Sequence, residues 1–571
     1  MHHYPTGTLQ LPRVFATVAL LLLGTPAFSG AAAMDRDLME VTVPQLQEYY
    51  RQHRYTVTQV VQWHLARIHR YDGIYHAIET LLENDALKVA AYEDRVLARG
   101  KDPRGALFGV PIVIKANTSI AGTVTSDGWS GFTLPGHELV APQDAPIVTR
   151  LRAAGAIILG HANMPDFANS DTNRSSSFGR TGNAYDVRFS PGGSSGGIVT
   201  AVTANMAVLG TGTDTGNSIR MPAATSALIG IFPTRGLVSI AGIAPLDWLL
   251  DNTGPIARNV GDAAIALSVM AGEDPLDPAT ESSSHKAQPG PYTRYLDRDA
   301  LRGKRFAVPA FILQGMAAPF HGVPAAVSDA AAAQLLAKAA QPLQAATRTA
   351  FLRAIDELRA AGATVIVDDT VLPEEFARLT NRISTYAYQL EGTNRFLAGF
   401  GPAQYRSASD YEKSVGDPLS EQIRGEEAPY KHLGDITVTQ EDIETAADAR
   451  DNYYLPRQRA LSAYLATLDR LQLDGFVYPA IQMPPVDETL PQDGRVSEGP
   501  HSATGWVNML GVPAVVVVGG FYPGGLPFGL EFSGRPWKDG DLLGIAYAWE
   551  TTTHHRHPPT LVGSGLLPNP P

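Results

Sequence analysis

The chain has 571 residues, with 45 Lys and Arg against 57 Asp and Glu for a formal charge of −12, and is 44% hydrophobic and 18% charged. That balance excludes a globally disordered chain and argues against a nucleic-acid-binding surface. Cysteine is absent, which excludes a disulfide framework, zinc–thiolate and iron–sulfur sites, a cysteine nucleophile and a lipid anchor on an acylated cysteine.

At the amino terminus Arg13 precedes the apolar run VFATVALLLLG, and TPAFSGAAA follows. This is the pattern of an export signal over residues 1–33, cleaved after Ala33. Val14 to Ala33 nearly has the length of an anchor helix, but Pro26 and the small residues favour cleavage. The expectation is a secreted or periplasmic protein with no stable membrane association after cleavage. Pro44 opens a helix in VPQLQEYYRQH. TVTQVVQWHLARIHRYDG places Val57, Val61, Leu65 and Ile68 at helical spacing and ends at Asp72-Gly73.

FGVPIVIK (108–115) reads as a short buried strand ending in a lysine, and AGAIILG (154–160) as a second, after a helix ending near Arg152. From Ser190 to Gly236 the chain is rich in Gly, Ser, Thr and Ala, which lets backbone approach backbone or ligand closely. Residues 273–300 are a polar, proline-rich surface excursion. Helical Ala-rich sequence runs over 325–362, and a polar helical insertion over 373–470. Strand signals return at DGFVYPA (474–480) and PAVVVVGG (513–520), and a Pro-rich tail closes the chain over 553–571, poorly ordered after Pro558. The alternation of helix and strand reads as α/β.

Three stretches can carry chemistry. Lys115 is one of only nine lysines and ends the run Val110-Pro-Ile-Val-Ile. A lone lysine there can snorkel from a strand end, or its buried amine can serve as a base with a lowered pKa. SPGGSSGG (190–197) is a plain turn or, read as G-x-S-x-G on Ser194 or Ser195, a nucleophile elbow. An elbow needs a strand directly before it, and RFSPGG is a poor one. LGTGTDTGNSIRMP turns several backbone N–H groups of Gly212, Gly216 and Ser218 into one loop, an anion or oxyanion site. As a dinucleotide fingerprint its glycine spacing is wrong. The HHRH run at 554–557 fits a solvated terminal patch better than a metal site.

Together, Lys115 in GVPIVIKANTSIAG, Ser194 in SPGGSSGG and Ser218 in GTDTGNSIRMPA resemble the amidase signature family of serine hydrolases, with the serines 218 − 194 = 24 residues apart. TVTQVVQWHLARIHRYDGIYHAIETL, LDNTGPIARNVGDAAIAL (250–267) and NMLGVPAVVVVGGFYPGGLPFGLEFSG (508–534) extend the resemblance over about 38–552. Only 273–470 is not covered; in that family this region shapes substrate choice. The resemblance implies a single large α/β domain, a mixed β-sheet core sandwiched by helices. It implies a serine amidohydrolase cleaving a carboxamide C–N bond. Ser218 is then the nucleophile, Ser194 the proton bridge and Lys115 the base, with a cis Gly193–Ser194 bond. The N–H groups of Thr215, Gly216, Asn217 and Ser218 form the oxyanion hole, and Ser195, Asp214 and Arg220 are supports. No metal or cofactor is implied, and the partner is a small-molecule amide. The alternatives are an ester or carbamate hydrolase, an inactive binding protein and an amidotransferase subunit. One position departs from the family pattern. Asn217 stands where the family usually has glycine, and asparagine tolerates the left-handed backbone expected there.

Overall fold

Strands covered on both faces are apolar along most of their length rather than alternating, and VPIVIK and AIILGHA fit this apart from Lys115 and His161. In the computed structural model every residue of Val110–Lys115 and Ala156–Ala162 is buried. The structure describes residue 1 and residues 33–99, 105–316, 322–426, 438–489 and 501–561. The proposed export signal lies almost wholly outside the described residues. The chain divides into two units, residues 1–39 and 40–571, and the second holds the entire sheet.

The strands are β1 (Ile78–Leu81), β2 (Val110–Lys115), β3 (Ala156–Ala162), β4 (Arg174–Ser175), β5 (Gly179–Arg180), β6 (Leu209–Asp214) and β7 (Ile229–Phe232). They continue with β8 (Asn252–Ala257), β9 (Arg305–Val308), β10 (Thr364–Val367), β11 (Gly475–Pro479), β12 (Ala514–Phe521) and β13 (Pro527–Ser533). Eleven of them form one sheet in the order β1-β3-β2-β6-β8-β7-β12-β13-β11-β9-β10, and β4 pairs with β5 alone. The sheet is mixed. β2 runs parallel to both β3 and β6, whereas β6, β8, β7, β12, β13 and β11 alternate in direction. Helices flank the sheet, among them Gly196–Thr203 on β2 and β6 and Asp539–Thr553 on β12. Among the described residues no helix is long and apolar enough to cross a membrane.

The parallel pairing of β2 with β6 positions the site. Ile112 faces Leu209 and Ile114 faces Thr211, so both strands end at the same edge of the sheet. That edge, at the carboxyl ends of parallel strands, is where α/β proteins place their ligands.

One expectation is corrected and two are refined. The helix from Val57 does not end at Asp72-Gly73 but continues to Tyr75, where His76 adopts a left-handed cap at φ 51°. A β-carbon on Gly73 would stand in open space, and the glycine is simply a helical residue. Residues 273–300 lie largely on the surface, as expected, but are stitched to the body at several points. Asp277 pairs with Arg235 and accepts the Ile240 N–H, and Asp274, Thr280 and Tyr292 are buried. The histidine run is solvated at His554 and His557 but is tied down as well. His555 bonds Glu357, Arg556 bonds Glu40, and the ring of His557 stacks on Phe521 at 3.9 Å. Ionic and aromatic partners far away in the chain fold this segment back onto the core.

Candidate active site

Lys115 is the last residue of β2 and is fully buried. Its Nζ lies 2.7 Å from Ser194 Oγ, 2.8 Å from Thr213 Oγ1 and 3.4 Å from the Thr213 carbonyl oxygen. Thr213 sits on β6, the parallel neighbour, so pairing register alone delivers this contact. Burial pushes the Lys115 amine down to about 7, against the opposing pull of Asp127, Asp214 and Asp251. The sequence shows the desolvation but not these carboxylates. Asp214, at the end of the adjacent strand, supplies part of that pull.

Ser194 is reached through an irregular stretch, not a strand, and this removes the elbow reading. The Ser190 N–H bonds the carbonyl of Val486. The Gly193–Ser194 peptide is cis, as the resemblance implies. A β-carbon on Gly193 would lie 2.2 Å from the Ser170 carbonyl oxygen and 2.4 Å from that of Thr172, so only glycine fits under this segment. Ser195 then starts the helix Gly196–Thr203. Its hydroxyl donates to the Thr213 carbonyl at 3.3 Å, and its N–H to the Ser218 carbonyl at 3.2 Å. Ser195 therefore ties the two serine loops together, a structural role.

Ser218 lies in the loop between β6 and the helix Arg220–Thr225, 5% exposed where Lys115 and Ser194 are sealed. Among the described residues no hydrogen bond joins its Oγ to Ser194; the main chain brings the two together. Nor does any described hydrogen bond use the N–H groups of Thr215, Gly216, Asn217 or Ser218, leaving four donors in one loop. The shape of this loop comes from Asp214 and Arg220. Asp214 Oδ2 accepts the N–H of Ile219 and Arg220 Nε, at 2.9 and 3.0 Å. Arg220, fully buried, also donates to the Gly216 carbonyl at 2.9 Å and to Glu531 Oε1 at 2.8 Å. The Arg220 guanidinium holds the Asp214 carboxyl below its usual range even though burial opposes it. Neither Gly216 nor Asn217 has a left-handed φ, so the expected need for a tolerant residue at 217 does not arise.

Sequence reasoning misses several residues. Asn117 donates to Thr213 Oγ1 at 3.1 Å, Asp251 accepts from the hydroxyl of the predicted Thr215 at 2.5 Å, and Asn508 donates to the Asp214 carbonyl at 2.9 Å. LDNTGP and NML, which carry Asp251 and Asn508, are legible only as flanking segments. Beside the loops opens a cleft of about 510 Å³ lined by Trp129, Phe167, Asn169, Ser170, Arg174 and Glu421 among others. Ser170 is both its wall and the backbone packed on Gly193, and Glu421 comes from the middle section of the chain.

A model of the family described as Amidase matches residues 59–340 and 335–543. A glutamyl-tRNA(Gln) amidotransferase subunit from Alkaliphilus metalliredigens is 32% identical over 523 residues, which span 90% of this chain and 96% of that protein. The same subunit of Symbiobacterium thermophilum is 31% identical over 89% of this chain and 96% of its own. Among solved structures, the native peptide amidase of Stenotrophomonas maltophilia superposes with a TM-score of 0.70 at 30% identity, covering 91% of this chain and 98% of that one. An amidase family protein from Bacillus anthracis shares the fold with a TM-score of 0.71 at 24% identity, over 94% and 96%.

Proposed function

Because the chain belongs to the amidase signature family, we propose that it hydrolyses a carboxamide C–N bond through an acyl-enzyme on Ser218. The observation that carries this reading is the 2.7 Å contact between Lys115 and Ser194, made by an amine whose pKa burial lowers to about 7. A neutral lysine has two N–H bonds and one lone pair. Thr213 offers acceptors for both N–H bonds, which leaves the lone pair for the Ser194 hydroxyl. Ser194 passes its proton to Lys115 and takes the proton of Ser218. The Ser218 oxygen attacks the carbonyl carbon, and the free N–H groups of residues 215–218 receive the oxyanion. The proton returns through Ser194 to the departing nitrogen as the C–N bond breaks. Water then cleaves the acyl ester by the same route. An ester or carbamate fits the same steps.

The likeness to a peptide amidase and the cleft beside Ser170 favour a linear amide whose acyl part is long enough to reach Trp129 and Phe167. Residues 273–470 shape that choice where Ser420, Glu421 and Gln422 join the cleft wall. A second reading, a subunit that serves a partner amidotransferase, draws on the 32% identity to such a subunit. The apolar amino-terminal run favours export to the periplasm or beyond, and so the first reading. The test is the chain from residue 34 assayed alone on a panel of aliphatic, aryl and peptide C-terminal amides, esters and carbamates. Release of ammonia or amine, absent in Ser218→Ala, is expected. No turnover without added partner proteins would move the function to the second reading.

A further inference from the structure

Asn217 does something in this loop that glycine could not. Its Nδ2 donates to Asp171 Oδ1 at 3.0 Å, and the other oxygen of Asp171 lies 3.1 Å from His501 Nδ1. The main chain of Asp171 meanwhile lies on the other serine loop. A β-carbon on Gly193 would meet the carbonyl carbon of Asp171 at 3.0 Å, between its still closer contacts with Ser170 and Thr172. One residue therefore touches the Ser194 turn through its backbone and the Ser218 turn through its carboxylate. His501 is anchored in turn, its carbonyl oxygen accepting the Gln482 N–H at 2.8 Å.

We propose that Asp171 and His501 are positioning residues that set the nucleophile loop at a fixed distance from Ser194 by way of Asn217. The N–H groups of Asn217 and Ser218 belong to the two peptide units that meet at the Asn217 α-carbon. Rotation about that carbon swings both donors away from a developing oxyanion. Pinning the side chain stops the rotation, and His501 stops the pinning carboxylate from turning. A misplacement of about 1 Å in such a site costs on the order of a hundredfold in rate. The inference rests on Ser218 being the nucleophile, so its test reads the nucleophile without needing the natural substrate.

The probe is an alkyl fluorophosphonate. Its reaction forms the Ser218 Oγ–P bond and breaks the P–F bond, and the serine proton leaves with fluoride. Asp171→Ala and Asn217→Ala should each slow the first-order labelling step about tenfold or more, with the reversible binding constant of the probe held within about twofold. Asp171→Asn keeps an oxygen acceptor for Asn217 and should recover most of the rate. His501→Ala should slow labelling less and add nothing in the Asp171→Ala background. The Asp171→Ala/Asn217→Ala double variant should be no slower than either single variant, as for two ends of one contact. Additive losses, an Asp171→Asn as slow as Asp171→Ala, or losses that follow the melting temperature would overturn the tether. Labelling that persists in Ser218→Ala would instead remove the nucleophile on which it rests.

Discussion

Thr213 holds the side-chain nitrogen of Lys115 at two points, its hydroxyl oxygen 2.8 Å away and its carbonyl oxygen 3.4 Å away. Both are better acceptors for an ammonium than for an amine, so they support the charged form against burial. Thr213→Val removes one of them and also leaves the amide of Asn117 without its 3.1 Å partner. The acid limb of kcat/KM should shift to lower pH, and kcat should fall about tenfold. Thr213→Ser should restore both. A limb that stays in place in Thr213→Val would detach Thr213 from the base.

The base itself sets the pH dependence. Lys115 is charged, and lacks a lone pair, below its pKa of about 7. kcat/KM should thus climb about tenfold per pH unit on the acid side and level off above neutrality. Lys115→Arg keeps the charge without a usable lone pair, so it should be as inactive as Lys115→Met, about 10⁴-fold down. Substantial hydrolysis by Lys115→Arg, measured across the pH range, would mean that the site needs a cation rather than a base.

The two serines should fail differently. Ser218→Ala removes the atom that becomes acylated and should abolish turnover, with an unaltered circular dichroism spectrum. Ser194→Ala keeps the nucleophile and the four donors and should retain a small, measurable rate. Equal residual rates in the two variants would contradict the assignment of nucleophile and bridge.

Arg220 is a matter of stability as much as activity. Its guanidinium sits fully buried between Asp214 and Glu531, and Glu531 Oε2 has no hydrogen-bond partner of its own. Arg220→Met leaves two buried carboxylates facing one another, a loss of about 3–5 kcal/mol in urea unfolding. Arg220→Lys should rescue little, since an ammonium cannot span Asp214, Gly216 and Glu531 at once. A melting curve of Arg220→Met that overlays the wild type would make the network dispensable.

Uniformly apolar runs make β2, β3, β11 and β12 legible in the sequence, and glycine crowding marks both serine loops. What cannot be read is pairing. Lys115 meets Thr213 because β2 lies parallel beside β6, and no local pattern records which strands are neighbours. Thr213 is an ordinary threonine until that register is known. The histidine run misleads for the same reason, since Arg556 finds Glu40 across 516 positions of chain. Asn217 suggests only backbone tolerance to a reader of the sequence, while its actual partner, Asp171, lies 46 positions away.

Asn508 and Glu531 complete the support of a loop whose own residues end near position 225. A ribosome delivers the chain from the amino terminus, so Lys115, Ser194 and Ser218 all emerge long before those two supports. Through most of synthesis Arg220 and Asp214 have each other but lack their distant partners. The nascent chain thus carries Lys115, Ser194 and Ser218 before the support around Arg220 is complete. On the proposed reading hydrolysis would begin only once Asn508 and Glu531 are both in place, and a product truncated before β13 would lack the Glu531 support of the loop that carries Ser218.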